Sequence, residues 1–397
     1  MSIRLQSRGP DMKITPNYLS DEAVKDIFRI MEEAGGALIV GGAVRDSLMG
    51  RKPKDIDFAT PATPDQIVKV MNKHGVRTID IGMEYGVVGA VMNNEAYEIT
   101  SFRKDVDTDG RRAVTRYGTS IEDDAQRRDL TINALYLKSD GEIIDLVGGV
   151  EDAKHGRIRF VGDAETRIRE DRLRALRMFR FWGKYGDKDP SVHAEAISAT
   201  KKFAGDMGIL SAERIGAETS ALLSLPNISH VIMTMRDIGI WNDVMPGTDP
   251  DELARYLVWE EENSVPPDLI TRMALSGCED PVQTLRMTKS LREDVRKTIT
   301  ASDEHDQAVA SFMNGALNAR RSVNIRFFRG EDVQHDHEAR IVFGAKAEFP
   351  VRASDLPDLS GPALGSELKR MRAEWLQSGL SRTKEELLNR DTPEFGM

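Results

Sequence analysis

The 397-residue sequence predicts an α/β (α+β) head built on a mixed β-sheet, followed by a mostly α-helical remainder. Three observations lead there. Residues 38–58, LIVGGAVRDSLMGRKPKDIDF, read as strand, glycine turn, short helix and strand. Residues 77–102 hold three short runs of β-branched and aromatic residues, Arg77 to Ile81, Val87 to Met92 and Tyr97 to Phe102, with a turn at Asn93 to Glu95. Beyond about residue 160 apolar residues recur at helical spacing, ending with Leu364, Leu368, Met371 and Trp375.

The first stretch organises the chain. Leu38-Ile39-Val40 stops at Gly41-Gly42, where a backbone without Cβ can turn sharply and approach a ligand closely. Ala43 to Met49 fits two helical turns ended by Gly50. The unpaired N–H groups at the start of such a helix suit a phosphate, and Arg45 would add charge there. On the strand expected over Asp55 to Thr60, Asp55 and Asp57 project to one face, roughly 6.5 to 7 Å apart, with Ile56 and Phe58 on the other. Two carboxylates so placed could share Mg2+ with substrate phosphates. Alone, an Asp-x-Asp is most often a solvated edge; the order and closeness of these pieces make it a candidate metal-nucleotide site. No Gly-Lys-Ser/Thr follows the glycines, which excludes a P-loop.

Composition is that of an ordinary globular protein, 40% hydrophobic and 30% charged. No apolar run approaches the roughly 18 residues of a membrane span, and Met1 to Pro10 lacks a signal peptide's apolar region. The single cysteine, Cys278, rules out an internal disulfide and points to a reducing cytoplasm. The formal charge of −10 argues against a nucleic-acid partner, but its distribution does not: nine basic residues face four acidic ones between Arg157 and Lys184. Arginine in place of lysine there favours phosphate or base recognition.

In chain order, Ser20-Asp21-Glu22 starts a helix that Gly35-Gly36 stops, and Thr63-Pro64 opens another that runs to His74-Gly75. Glu98, within the third of the short strands, could complete a three-carboxylate site. Residues 104–118, KDVDTDGRRAVTRYG, lack apolar periodicity and read as a loop. Ser139-Asp140-Gly141 turns a second hairpin. A helix capped by Asp163 is expected to run to about Tyr185, with Asp171, Arg174, Arg177 and Arg180 at three-residue intervals forming a polar ridge beside Leu173, Leu176 and Phe179. His335-Asp336-His337 reads as a solvated turn rather than a metal site, since no further ligand cluster lies near.

Four of these segments together resemble one family. GGAVRD followed by DID is similar to the nucleotidyltransferase signature of the DNA polymerase beta superfamily, in the form used by class II CCA-adding tRNA nucleotidyltransferases and bacterial poly(A) polymerases. RRDLTINAL, residues 127–135, resembles its second signature; DLVGG with Glu151-Asp152 resembles its third; EDxxRxxRxxR from Glu170 to Arg180 matches its nucleotide-recognition motif. The resemblance covers Ala37 to about Trp241. It implies that Asp55 and Asp57 are catalytic and hold Mg2+, and that Arg128 contacts the triphosphate with Asp129 and Asn133 orienting it. It implies nucleotide contacts from Gly42 and Arg45, with Gly41 and Glu98 as further candidates. Loop 104–118 would move the site between CTP and ATP, with Arg111, Arg112 and Arg116 near phosphates. Tyr85-Gly86-Val87 departs from the family's usual His-Gly-Thr.

The fourth motif explains base choice. Cytosine and adenine each show an amino donor beside a ring-nitrogen acceptor; uracil and guanine show the reverse. Asp171, an acceptor, beside Arg174, a donor, therefore matches C or A and leaves unpaired polar groups against U or G. Arg177 and Arg180 would hold phosphates or position the base.

The expected organisation is an N-terminal extension over 1–19, a catalytic head over 20–155, a helical neck over 156–250 that binds base and RNA, and a helical body and tail over 251–397 that bind tRNA. The expected activity is template-independent addition of C, C and A to the 3′ end of tRNA from CTP and ATP. A poly(A) polymerase or an enzyme limited to CC or A addition is the alternative within the class, and a catalytically dead RNA-binding protein the alternative outside it.

Overall fold

The computed structural model describes residues 12–106, 114–278 and 284–389. The chain divides into two compact units, one of residues up to Leu222 with Thr234–Asp243, the other of Leu223–Met233 with Val244 onward. Arg111 and Arg112 lie outside the described residues.

The first unit is built on a seven-stranded mixed sheet in the order β3-β4-β5-β2-β1-β8-β9. Its strands are β1 Leu38–Val40, β2 Asp57–Thr60, β3 Arg77–Gly82, β4 Val87–Met92, β5 Glu95–Ser101, β8 Leu135–Leu137 and β9 Ile143–Asp145. Only β2 and β5 pair in parallel, with Phe58 opposite Ile99; β1 pairs antiparallel with both β2 and β8. Alternation sets the two faces. Ile39, Phe58, Val88, Ile99, Leu135 and Leu137 pack with Ile27 and Met31 of α1 (Glu22–Met31), Val44 of α2 (Gly42–Leu48) and Ile67 and Met71 of α3 (Pro64–Lys73). Thr63 and Gln66 form a reciprocal capping box at the start of α3, just where the Thr-Pro pair predicts it.

The other face of the sheet is covered as well. Leu38, Val40, Ala59, Tyr136 and Ile144 pack there with Phe102 and with Ile121 and Ala125 of α4 (Ile121–Arg127). β1 is therefore buried on both sides, which its unbroken Leu-Ile-Val run suits. Residues 12–14 lie along the sheet's edge: Ile14 N–H donates to Gly141 and Ile143 N–H to Met12.

The loop expected over 104–118 has paired stems. β6 (Arg103–Val106) and β7 (Val114–Tyr117) form a separate antiparallel ribbon, held at its base where Phe102 C=O accepts from Gly118 N–H. Past the sheet come α5 (Gly149–Lys154), α6 (Ala164–Glu170), α7 (Leu173–Tyr185), α8 (Ala194–Lys201) and α9 (Ala212–Leu223).

The second unit is helical where described. Asp251–Glu262 and Leu269–Ala274 flank the Pro266-Pro267 break. Arg272 is fully buried, pairs with Glu260, and donates to the carbonyls of Leu223 and Leu225 at 2.8 and 2.5 Å. Met371 and Trp375 of the helix Gly361–Gln377 are buried beside Val309, Val351 and Leu380, with Leu368 packed against them. His335 and Asp336 sit on an exposed turn.

Candidate active site

β2 begins at Asp57, not at Asp55. Its partner β1 ends at Val40, opposite Asp57, and turns away at Gly41, so nothing pairs with residue 55. The two aspartates therefore do not share one strand face. Asp55 is exposed, its carboxylate 3.7 Å from Lys54 Nζ. The parallel register that sets Phe58 against Ile99 instead carries Glu98 alongside Asp57, on the face away from Phe58. Burial pushes the Asp57 carboxyl up to about 6; the charges of Glu98 and Asp55 add to the rise, and Arg128 opposes it. A half-buried carboxylate pressed by the charges of two others is chemistry that suits a hard divalent cation. Among the described residues no group of three or more acidic, His or Cys side chains stands placed to hold a metal ion by itself.

Gly41 takes φ +70° and ψ −115°, a conformation open to glycine, and its N–H donates to Leu135 C=O at 2.9 Å. A Cβ there would stand 3.4 Å from the Asn133 carbonyl oxygen and 3.6 Å from Arg128 Nη1. The turn thus lies directly against the Arg128 guanidinium. Gly42 opens α2 as expected.

Arg45 does not stand at the helix start as a free charge. It is buried, donating to Asp46 Oδ1 (2.9 Å from Nε), Asn133 Oδ1 (2.5 Å) and Tyr185 Oη (2.6 Å), with its Cζ 4.0 Å from the Tyr185 ring centroid. Helical geometry points residue 45 back along α2 and down onto the elements beneath. Its role in this geometry is to tie α2 to Asn133 and α7.

Arg128 is held by Asp124, not by Asp129. Its Nη2 and Nε donate to Asp124 Oδ2 at 2.9 and 3.1 Å, Tyr136 Oη donates to the same oxygen at 2.7 Å, and Arg128 Nη1 reaches the Asn133 carbonyl at 3.3 Å. Burial alone would raise the Asp124 carboxyl; Arg128 and Arg127 outweigh it and hold it low. α4 ends at Arg127, so residue 128 leaves the helix still within reach of Asp124 one turn back, whereas Asp129 turns the other way. Asp129 instead accepts from Asn133 Nδ2 at 3.1 Å and from Arg177 Nε at 2.7 Å.

The single helix expected from Asp163 to Tyr185 is broken. α6 ends at Glu170, Asp171 is extended at φ −150° and ψ 109°, and α7 starts at Leu173. Asp171 Oδ1 accepts from Leu173 N–H at 3.1 Å, the capping role a short carboxylate prefers over helix interior. The polar ridge is therefore Arg174, Arg177 and Arg180 on α7, with Asp171 at its entrance. No hydrogen bond or ion pair joins the side chains of Asp171 and Arg174. Arg174 Nη1 donates to Glu170 at 2.6 Å and its Nη2 to the Arg127 carbonyl at 3.2 Å.

Two residues of α9 complete this surface and were not singled out by sequence. Glu218 accepts from Arg180 Nε at 2.5 Å and lies 3.7 Å from Arg177 Nη1. Arg214 donates to Asp171 Oδ2 at 2.7 Å. Their i, i+4 spacing on one helix face was the signal available. Asp124, Tyr136 and Tyr185 were missed likewise. Arg116, exposed on β7, pairs in the ribbon opposite Lys104.

Residues 37–159 match the poly A polymerase head domain. The mouse CCA tRNA nucleotidyltransferase 1, mitochondrial, is 30% identical over 393 residues, 94% of this chain and 90% of that protein. The CCA-adding enzyme of Streptococcus uberis is 30% identical over 369 residues, 87% of this chain and 90% of its own. Among solved structures, the Bacillus stearothermophilus CCA-adding enzyme in complex with CTP superposes with a TM-score of 0.75 at 26% identity, covering 94% of this chain and 96% of that one.

Proposed function

The chain belongs to the CCA-adding tRNA nucleotidyltransferase family, and from that membership we propose that it adds C, C and A to the 3′ end of tRNA from CTP and ATP, without a template, releasing pyrophosphate. The observation that carries the reading is the closeness of Glu98 and Asp57, each one residue ahead of the paired Ile99 and Phe58, beside an arginine fixed by Asp124. Acidic groups that bind a cation and a fixed cation that binds phosphate are what nucleotidyl transfer needs in one place.

Asp57 and Asp55, with Glu98 as the third carboxylate, would hold divalent metal, and Mg2+ suits their all-oxygen chemistry. When bound, such a metal activates an RNA 3′-hydroxyl and neutralises charge on the α-phosphate and the leaving pyrophosphate. The chain's own residues do the rest. Arg128 presents its guanidinium to the triphosphate against the Gly41-Gly42 turn, whose lack of side chains lets phosphate oxygens approach. Asp129 and Asn133 act on Arg177 and Arg45, keeping the head in register with α7. Asp171 and Arg174 read the base edge by exchanging their present partners, Arg214 and Glu170, for the amino group and ring nitrogen of C or A. Arg177 and Arg180, steadied by Glu218, position the bound nucleotide.

The relatives' shared CCA naming and the span of their match favour CCA addition over poly(A) synthesis. Residues 20–155 would form the catalytic head, 156–250 the neck and 251–397 the tRNA-binding body and tail. Among the described residues no helix is long and apolar enough to cross a membrane. A sequence with one cysteine, Cys278, which is buried, suits a reducing compartment such as the cytoplasm.

The test offers Mg2+ and tRNA ending before CCA, or in C, CC or CCA, with CTP, ATP, UTP and GTP singly and together. Two C additions, one A and a stop are expected. Long A tails would overturn CCA addition in favour of poly(A) synthesis, and no incorporation would overturn the enzyme reading.

A further inference from the structure

A group of cations beside the carboxylates has no part in the site so far. The segment between α2 and β2 reads Gly50-Arg51-Lys52-Pro53-Lys54. Arg51, Lys52 and Lys54 are exposed, as is Lys184 near the end of α7. Arg51 and Lys184 are brought together rather than spread apart. Arg51 Nη1 donates to the Lys184 carbonyl at 2.9 Å, and both charges sit over one ring, Arg51 Cζ and Lys184 Nζ each 4.9 Å from the Tyr185 centroid. The buried Arg45 lies 4.0 Å from the same centroid.

Three positive charges around one aromatic ring repel one another, and cation–π attraction to each is modest at exposed positions. Among the described residues no carboxylate stands within ion-pair distance of Arg51, Lys52 or Lys184; only Lys54 has one, Asp55 at 3.7 Å. In a chain of net charge −10 these cations have acidic residues elsewhere to pair with, yet Arg51 is held to Lys184, and its own segment leads straight into Asp55 and Asp57. Lys54 directly precedes Asp55, and Arg51 lies six residues ahead of Asp57. The rigid anchor of the cluster is Tyr185, itself buried and hydrogen-bonded to Arg45.

We propose that Arg51 and Lys184, which meet over Tyr185, form with Lys52, the residue next to Arg51, a lip that grips the backbone phosphates of the RNA strand whose 3′-hydroxyl enters at Asp55 and Asp57. The inference rests on the nucleotidyltransferase reading of that site. Uncompensated cations in a row suit a polyanion, since each phosphate they neutralise releases counterions to solvent. Their sequence-blind chemistry suits a strand that must advance after every addition, because no base-specific contact has to be broken and remade.

The test compares wild type with R51Q/K52Q/K184Q, and with K25Q/K69Q/K73Q, which removes the same charge from α1 and α3. Binding of tRNA lacking CCA is measured from 50 to 200 mM NaCl, together with KM for tRNA and for CTP. For the lip variant we expect about tenfold weaker binding, and a slope of log affinity against log salt shallower by about 2, at roughly 0.7 per single-strand phosphate. KM for tRNA should rise about tenfold while KM for CTP moves less than twofold. The control variant should change the slope by less than half as much. Equal slopes for the two variants, or a rise confined to KM for CTP, would overturn the lip. If the triple variant melts early, R51Q and K52Q singly should each lower the slope by about 0.7, and no change in either overturns it. Wild type that binds tRNA yet adds no nucleotide would sink the enzyme reading while leaving the salt slopes to report on the lip.

Discussion

Arg177 on α7 donates from Nε to Asp129 Oδ2 at 2.7 Å, an ion pair joining the 127–135 segment to α7 across 48 residues of sequence. Burial would raise the Asp129 carboxyl, but Arg177, Asn133 and the Leu130 N–H hold it below the usual range. A depressed carboxylate contributes stability above its unfolded value, and that contribution is lost as pH falls through the folded one. Asp129→Ala leaves Arg177 without its main partner. Since Arg177 keeps some solvent and a distant Glu218, the expected loss is about 1–3 kcal/mol, less than for a fully buried pair. Urea unfolding measures it, and an unchanged midpoint would refute the pairing.

Glu218 serves two of the three ridge arginines, Arg180 and, at a greater distance, Arg177. Glu218→Gln weakens the charge-assisted bond to Arg180, while Arg177 keeps its Asp129 partner. KM for CTP and ATP should rise about five- to tenfold with Tm nearly unchanged, and UTP misincorporation should increase. Steady-state kinetics with each nucleotide decides it.

Asp57 gives a pH signature of opposite sign. Its folded value, pushed up to about 6, exceeds the ordinary aspartate value of 3.8. The ionised carboxylate therefore costs stability, nothing below pH 3.8 and the full amount above about pH 6. Asp57→Asn in chelator should melt higher at pH 7.5 by about 1–2 kcal/mol, after allowance for screening, and equal wild type near pH 3.5. The same variant should lose at least about 1000-fold in nucleotide addition. A variant less stable at pH 7.5 would contradict the crowded-carboxylate geometry.

His193 is buried and neutral, its Nδ1 accepting from Ile158 N–H at 3.1 Å and its ring 4.8 Å from Trp182. Burial lowers its proton affinity below the usual histidine value. The unfolded chain then takes up the proton first, so stability falls as pH drops below about 6.5. His193→Gln should be less stable at pH 7.5 but lose less of its urea midpoint between pH 7.5 and 5.5 than wild type does.

Gly41→Ala places a Cβ in a backbone region closed to it and 3.6 Å from Arg128 Nη1. Strain of this kind costs about 1–3 kcal/mol. Calorimetry should show the destabilisation, and KM for both nucleotides should rise with it as the turn shifts against Arg128.

What could be read in the sequence was local. The start of α3 was announced by Thr63-Pro64, the turn by Gly41-Gly42, and β1 by three aliphatic residues in a row. Asp171 was misread because the apolar period runs through residues 164–185 without a fault, and only the carboxylate's preference for a capping position breaks the helix. Asp55 was misread because strand propensity says nothing of where a partner strand ends. Arg128 with Asp124 lay within reach of helical spacing, whereas Arg45 with Asn133 spans 88 residues and becomes visible only once β1 and β8 pair.

The strand order also sets a timetable for synthesis. β1 lies between β2, which follows closely, and β8, which follows nearly a hundred residues later, with Ile39 opposite Leu137. β2 waits in turn for β5, since α3, β3 and β4 must be made before Ile99 can meet Phe58. Closing such distant pairs is slow compared with local helix formation. A growing chain halted before Tyr97 would carry Asp55 and Asp57 without Glu98, and one halted before Arg128 would lack the cation that opposes them. The carboxylates and their arginine are therefore brought together only as the sheet closes, so a partly made chain would lack the site proposed for nucleotide addition.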